Sequence, residues 1–362
     1  MVDVIVVGGG LLGMLTAREL HRRGAEVMLI ERGKAGGEAS WAGGGILSPL
    51  YPWRYNDAVN RLAQYGHQFY PQLAQALFDE SGIDPEYTRS GMLIFDQHEN
   101  QLAQNWSQQW NVRVDVLDAP TLHALQPGLG VQLAAALWLP EIAQLRNPRL
   151  VKSVFGSLAQ HSIRCLENTE VIGLEVKQGA IQGVKTADKN YQANKVIVAG
   201  GAWTSKIIQA FARPPAVKPV KGQMILFKGE PGVLKTIVLS QGRYLIPRRD
   251  GRIVVGSTLE YTDYDKSITA SAQADLAAAA IELVPALAAV PIEHHWAGLR
   301  PGSGQGVPYI CEHPEIHGLY INSGHYRNGV ILGAGSAQLM ADLISETAPA
   351  IDPTFYGFDA EH

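Results

Sequence analysis

Two cysteines in 362 residues, Cys165 and Cys311, exclude a disulfide framework, and so low a thiol content suits a reducing cytoplasm. Neither charge sign dominates. Thirty Lys and Arg stand against 34 Asp and Glu, the cations are scattered, and the basic footprint of a nucleic-acid binder is missing. Uncharged apolar runs of membrane-spanning length are absent too, since Glu282 and Pro285 interrupt the Ala-rich stretch from Leu276 to Val290. Asp3 stands where a secretory signal would carry positive charge, and the apolar residues behind it make a strand rather than a leader. His294 and His295 lack partners at ligand spacing, and neighbours on a strand face opposite ways, so no metal site is expected. A nucleophile elbow, an internal repeat and a low-complexity segment are likewise missing. What remains is a soluble globular chain, 46% apolar and 18% charged, with the length of two domains.

The chain is organised around its first 31 residues. Val4-Ile5-Val6-Val7 is a β-branched run leading into Gly8-Gly9-Gly10-Leu11-Leu12-Gly13, followed by an apolar-periodic segment and a second apolar run from Val27 to Ile30. Gly8, Gly10 and Gly13 hold the G-x-G-x-x-G spacing, in which one glycine makes the turn, one admits a pyrophosphate and one lets helix pack on strand. The helix N-terminus then offers free N–H groups and a partial positive charge to the phosphates. Glu31 falls 18 residues after Gly13, where a carboxylate accepts from a ribose hydroxyl pair and repels a 2′-phosphate. An adenine dinucleotide other than NADP is the expectation.

The segment Arg32 to Leu47 carries six glycines in sixteen residues and reads as an irregular second cradle, where backbone N–H groups approach the ligand. A helix is expected over 57–81, a strand over 91–95, a helix over 99–110 and another over 149–161. The buried run Lys195 to Val198 enters a glycine turn at Gly200-Gly201, as at another strand–helix junction beside a nucleotide. Short alternating strands from Val220 to Leu259 predict an antiparallel sheet inserted within the first domain, followed by a helix over 271–287 and a last apolar helix over 329–346. Arg300 is expected at a strand-to-turn exit, where its planar fork can enter a cavity and match a carboxylate.

Four stretches together carry a family resemblance. They are the N-terminal unit, Tyr244-Leu245-Ile246-Pro247-Arg248, Trp296-Ala297-Gly298-Leu299-Arg300-Pro301-Gly302, and Gly324-His325-Tyr326-Arg327-Asn328-Gly329-Val330-Ile331-Leu332. Over nearly its whole length the chain resembles the FAD-dependent amine oxidases of the D-amino-acid oxidase group, most closely the thiamin-pathway glycine oxidases. The resemblance implies a Rossmann-like FAD-binding domain of the glutathione-reductase type over 1–79, 144–215 and 301–362. It implies an α+β substrate domain, built on the inserted antiparallel sheet, over 80–143 and 216–300. It makes Arg300 the partner of the substrate carboxylate, Tyr244 a hydroxyl donor to substrate and Arg327 a second arginine at the carboxylate end. The loop from His325 through Tyr326, Arg327, Asn328, Gly329 and Val330 to Ile331 would line the flavin pyrimidine. Leu11, Leu12, Glu31, Arg32, Ala39, Ser40, Gly44, Gly45, Ile46 and Val171 fall at FAD-contact positions. Ala39 stands where relatives often carry a hydroxyl, and Ile46 and Leu259 replace methionines. FAD is expected to be non-covalent, because Cys311 lies well downstream of the position at which sarcosine-oxidising relatives attach it.

The implied activity is oxidation of glycine and similar small amines by hydride transfer to flavin N5. Glyoxylate, ammonia and hydrogen peroxide follow, with dioxygen as acceptor. A D-amino-acid or sarcosine oxidase, or a dehydrogenase with another acceptor, uses the same anchors. A non-catalytic flavoprotein subunit would lack them, and an NAD(P)H reductase needs a second glycine fingerprint that Gly200-Gly201 does not supply. The physiological role, thiamin synthesis or amine catabolism, stays open, as do the residues covering the pocket (Ile46, Leu259 and the Tyr51-Trp53-Tyr55 loop are candidates). Relatives of this size are usually homo-oligomers.

Overall fold

In the computed structural model, which describes residues 2–362, Val4–Val7 lies inside a six-stranded sheet. The strand order is Tyr309–Glu312, Leu319–Ser323, Lys195–Val198, Val4–Val7, Val27–Ile30 and Arg164–Leu166. All pairs are parallel except the edge pair Tyr309–Glu312 with Leu319–Ser323. A parallel sheet is covered on both faces, which explains why Val4–Val7 is apolar without alternation. Val4 and Val6 pack against the helices Leu11–Arg22, Asn147–Gln160 and Gly329–Ile344, while Ile5 and Val7 face Leu174, Ile181 and Val184 of a small antiparallel sheet.

A second sheet has eight strands, ordered Ile292–Gly302, Lys218–Phe227, Ile253–Gly256, Arg243–Pro247, Ile237–Ser240, Met92–Ile94, Ala135–Leu139 and Asp115–Asp118. The expected antiparallel sheet is therefore mixed at one junction, because Ile237–Ser240 runs parallel to Met92–Ile94. The strands joined there come from two distant stretches of chain, so no hairpin dictates their direction. The strands Asp115–Asp118 and Ala135–Leu139 between them were not foreseen. Ile46, Leu50 and Tyr51 pack with this sheet, next to Ile246 and Met224.

Other boundaries move for local reasons. The helix expected over 57–81 is two, Asp57–His67 and Tyr70–Ser81, the second opening with Pro71 in its first turn, where the ring has no N–H to lose. The helix expected over 271–287 is Ala270–Leu283, with Pro285 starting a separate turn. The glycine-rich segment contains one helical turn, Ala39–Ala42. Arg300 lies inside the strand Ile292–Gly302 rather than at its exit, paired across the ladder with Val220. Among the described residues no helix is long and apolar enough to cross a membrane.

Candidate active site

The three fingerprint glycines divide the work by geometry. Gly8 has φ +110°, and a Cβ there would lie 2.4 Å from the Ala199 carbonyl oxygen. A Cβ on Gly13 would lie 1.9 Å from the Gly8 carbonyl oxygen, so this glycine sets how closely the helix Leu11–Arg22 packs on the turn. Gly10 faces open space, with only Ser40 Oγ near, at 3.3 Å from a Cβ built on it. The Leu11 N–H donates to Ser40 Oγ at 2.8 Å. The N–H groups of Leu12 and Gly13 have no acceptor inside the helix and remain for a ligand.

Gly10, Leu11 and Leu12 form one end of a deep cleft. Ala39, Ser40, Gly44, Gly45 and Ile46 line a second wall, and His325, Tyr326, Arg327, Gly329 and Val330 a third. The helix Gly329–Ile344 starts at this wall, and a Cβ on Gly329 would lie 3.9 Å from Leu12 Cδ2. Two helix N-termini, 318 residues apart in sequence, thus meet at one cavity and make it attractive to negative charge.

Arg300 and Tyr244 complete the enclosure from the eight-stranded sheet. Arg300 Nη2 donates to Ser257 Oγ at 2.6 Å, and Nη1 donates to the carbonyls of Lys221 at 3.2 Å and Thr258 at 3.3 Å. Burial pulls the Arg300 pKa down; Tyr244 opposes the shift and the Arg327 cation adds to it. Among the described residues neither Arg300 nor Arg327 has a carboxylate partner within ion-pair distance. Two half-buried cations on one cleft favour an anionic group within it. Tyr244 is 7% exposed, and its hydroxyl lies 3.7 Å from Met224 Sδ. Its ring packs over the glycine loop, 3.2 Å from where a Gly44 Cβ would be.

Buried polar groups fix this enclosure. His325 is 1% exposed and lies 2.8 Å from Ser336 Oγ on the following helix, so it braces the loop. Burial lowers its pKa to about 3, leaving a neutral ring at physiological pH. Arg248 donates to Gln144 Oε1 at 2.7 Å, to the Leu145 carbonyl at 3.0 Å and to the Gly44 carbonyl at 2.7 Å. Burial brings its pKa down to about 10, which still leaves it charged at neutral pH.

Several expected site residues lie outside the cleft wall. Glu31 accepts from the Gly9 N–H at 2.7 Å and the Gly33 N–H at 2.9 Å, tying the fingerprint turn to the segment that follows. Its remaining lone pairs are open to a ribose. Arg32 stacks 3.8 Å over the Trp203 ring and pairs with Glu38 at 3.5 Å. Val171 opens a strand of the small sheet, and Gly200 opens the turn Gly201–Trp203. Asn328 occupies the N-cap position of the helix Gly329–Ile344 without a side-chain capping bond, and Ile331 points into the core against the helix Asp57–His67. Of the candidate covering residues, Ile46 alone lines the cleft. Leu259 is 44% exposed, and Tyr51 is pinned by Asp96 Oδ2 at 2.6 Å and the Gly242 N–H at 2.9 Å.

Other lining residues went unforeseen: Gly222, Met224, Ser257, Asn147 and Asn322. A glycine inside a strand signals close approach, and Met224 shares the face of Gly222 two residues on, so both were open to detection. The two asparagines carry no local signal. Each leaves a buried Oδ1 without a partner in the wall, an acceptor for ligand N–H or O–H. The open Gly10 cradle, the two helix N-termini and these two acceptors fit a dinucleotide carrying a flavin.

The family described as FAD dependent oxidoreductase matches residues 3–343. A glycine oxidase of Pseudomonas aeruginosa is 46% identical over 98% of this chain and 97% of its own length. One of Pseudomonas putida is 44% identical over the same shares. The crystal structure of glycine oxidase from Geobacillus kaustophilus superposes with a TM-score of 0.94 at 27% identity, covering 99% of this chain and 98% of that one.

Proposed function

The chain belongs to the FAD-dependent oxidoreductase family, and from that premise we propose that it oxidises glycine and similarly small amines with dioxygen. The observation that carries this reading is the pair Arg300 and Arg327, two cations lining one cleft from different walls, with no carboxylate of the described residues to balance them. An amino-acid carboxylate supplies that balance, and a guanidinium fork meets it bidentately. Tyr244 closes the cleft beside Arg300 and offers its hydroxyl to the substrate.

FAD, which Gly10, Leu11, Leu12, Ser40 and the N-terminus of the helix Gly329–Ile344 would hold, would supply a two-electron acceptor reoxidised by dioxygen, so that glycine, water and dioxygen would yield glyoxylate, ammonia and hydrogen peroxide. The protein's part is to hold the glycine carboxylate at Arg300 and Arg327, orient the α-carbon and surround it with apolar wall from Ile46, Leu50 and Met224. No side chain needs to act as base if the amine is bound neutral. The N-terminus of the helix Gly329–Ile344 favours negative charge at its end of the cleft.

The six-stranded sheet supports an FAD-binding domain over 1–79, 144–215 and 301–362, and the eight-stranded sheet a substrate domain over 80–143 and 216–300. Two free cysteines suit residence in the cytoplasm, and a homo-oligomer is the assembly proposed. The deciding experiment is anaerobic. Glycine, sarcosine, D-alanine and D-proline are added separately and flavin absorbance is followed. Fast bleaching by glycine, reversed by air, is expected. Bleaching only by the larger amines moves the substrate, and bleaching by none overturns the reading. Replacing Arg300 with Leu raises KM for glycine by about a hundredfold or more while FAD stays bound, as expected for loss of a charge-assisted bidentate anchor.

A further inference from the structure

A second buried cation lies just behind the arginine anchor. The Lys221 side chain is 4% exposed, and its ammonium pairs with Glu260 Oε2 at 3.0 Å and Asp265 Oδ2 at 3.1 Å and donates to the Ser267 carbonyl at 3.2 Å. All three partners belong to residues 257–269, a segment without helix or strand that joins Ile253–Gly256 to the helix Ala270–Leu283. Backbone bonds reinforce the clamp: the Lys221 N–H donates to the Glu260 carbonyl at 2.9 Å, and the Glu260 N–H to the Lys221 carbonyl at 3.0 Å. Two residues on, fully buried Gln223 donates to Glu260 Oε1 at 2.8 Å and accepts from the Thr269 N–H at 2.8 Å.

This segment supplies what holds Arg300. Ser257 Oγ and the Thr258 carbonyl accept from its guanidinium, and the third acceptor is the carbonyl of Lys221 itself. A guanidinium has five donors in a fixed plane, so three acceptors on one side leave an edge directed elsewhere. Burial works against the Lys221 charge, but Glu260 and Asp265 outweigh it and raise its pKa, so the clamp stays charged.

We propose that Lys221 is a positioning residue for substrate binding: by clamping residues 257–269 onto the strand Lys218–Phe227, it holds Ser257 and Thr258 where they aim the Arg300 fork at the substrate carboxylate. The inference rests on Arg300 as that anchor. Without the ammonium, Glu260 and Asp265 face each other unbalanced, the segment loosens and Arg300 regains rotamers that miss the carboxylate. The loss falls on substrate affinity, because the interaction is made in the bound ground state as much as in the transition state.

The test compares Lys221→Met, Asp265→Asn and Arg300→Leu as holoenzymes, by glycine kinetics and by the flavin spectral change on titrating acetate, a carboxylate without the amine. Lys221→Met is expected to raise KM for glycine and Kd for acetate about tenfold, and Asp265→Asn about threefold, with kcat within about twofold and FAD content unchanged. A clamp serving stability alone lowers the unfolding temperature and leaves KM and acetate affinity as they were, which overturns the proposal. If Lys221→Met does not fold, Asp265→Asn decides, since its side chain is 54% exposed. If Arg300→Leu leaves KM unchanged, the anchor reading falls and the proposal with it. If Arg300→Leu raises KM and the other variants do not, the proposal alone falls.

Discussion

Gly222 lies diagonally across two antiparallel strands from Arg300, and a Cβ built on Gly222 would sit 2.2 Å from Arg300 Nη2. The guanidinium occupies the space of the missing side chain. Gly222→Ala therefore displaces the fork without removing it. KM for glycine is expected to rise about tenfold or more while the flavin stays bound and the protein folded. Steady-state kinetics beside a flavin absorbance spectrum check this, and an unchanged KM would show that the guanidinium has another place to lie.

The two fingerprint glycines Gly10 and Gly13 separate binding from folding. At Gly13 a methyl would lie 1.9 Å from a backbone carbonyl, and the helix must move off the sheet, a loss of about 3 kcal/mol or more. At Gly10 it meets only a serine hydroxyl at 3.3 Å. Gly10→Ala is expected to change apoprotein stability by about 1 kcal/mol or less yet to weaken FAD binding strongly. Thermal unfolding of the apoproteins, with FAD titration of each, tells the two apart.

His325 makes stability depend on acid. Its folded pKa, about 3, lies below the ordinary value of 6.5, so below pH 6.5 the unfolded chain binds a proton that the folded ring refuses. The neutral ring's contribution is present above pH 6.5 and falls away as pH drops toward 3. Between pH 6.5 and 5 the wild type should lose about 1.5 kcal/mol more than His325→Gln. Urea unfolding of both proteins at the two pH values measures the difference. Parallel losses would mean that another group titrates.

Arg248 ties the sheet to the glycine loop through three acceptors, Gln144 Oε1 and the carbonyls of Leu145 and Gly44. Arg248→Met leaves those acceptors buried and unpaired, at about 1–3 kcal/mol each. A lower unfolding temperature and faster FAD release are expected, and flavin fluorescence reports the release. Arg248→Lys recovers part of both, because an ammonium does not reach all three with a fork's geometry. Full recovery by lysine would reduce the role to charge alone.

Much of the nucleotide end was legible because its causes are local. The turn at Gly8, the packing at Gly13 and the free N–H groups at Leu12 follow from residues a few positions apart, and so does the acid at the end of Val27–Ile30. Even there tertiary structure redirected one residue: Glu31 spends hydrogen bonds on Gly9 and Gly33 inside the protein. Ile331 is another such case, since a loop motif does not say which way a helix will turn its first apolar residue, and here it turns toward the core.

The substrate end is different. Residue type and motif were enough to single out Arg300, Tyr244 and Arg327. They said nothing of Ser257 or Lys221, and a glycine within a strand at 222 signals close approach without saying to what; the bearing of all three on Arg300 depends on which strands pair and in what register. The Lys221 carbonyl that accepts from Arg300 is 79 residues away along the chain. Helix N-termini and glycine turns are properties of a continuous segment and survive in any fold that contains it. The setting of a buried guanidinium exists only once separate strands and the segment lying across them have packed, and that was decided by the tertiary structure.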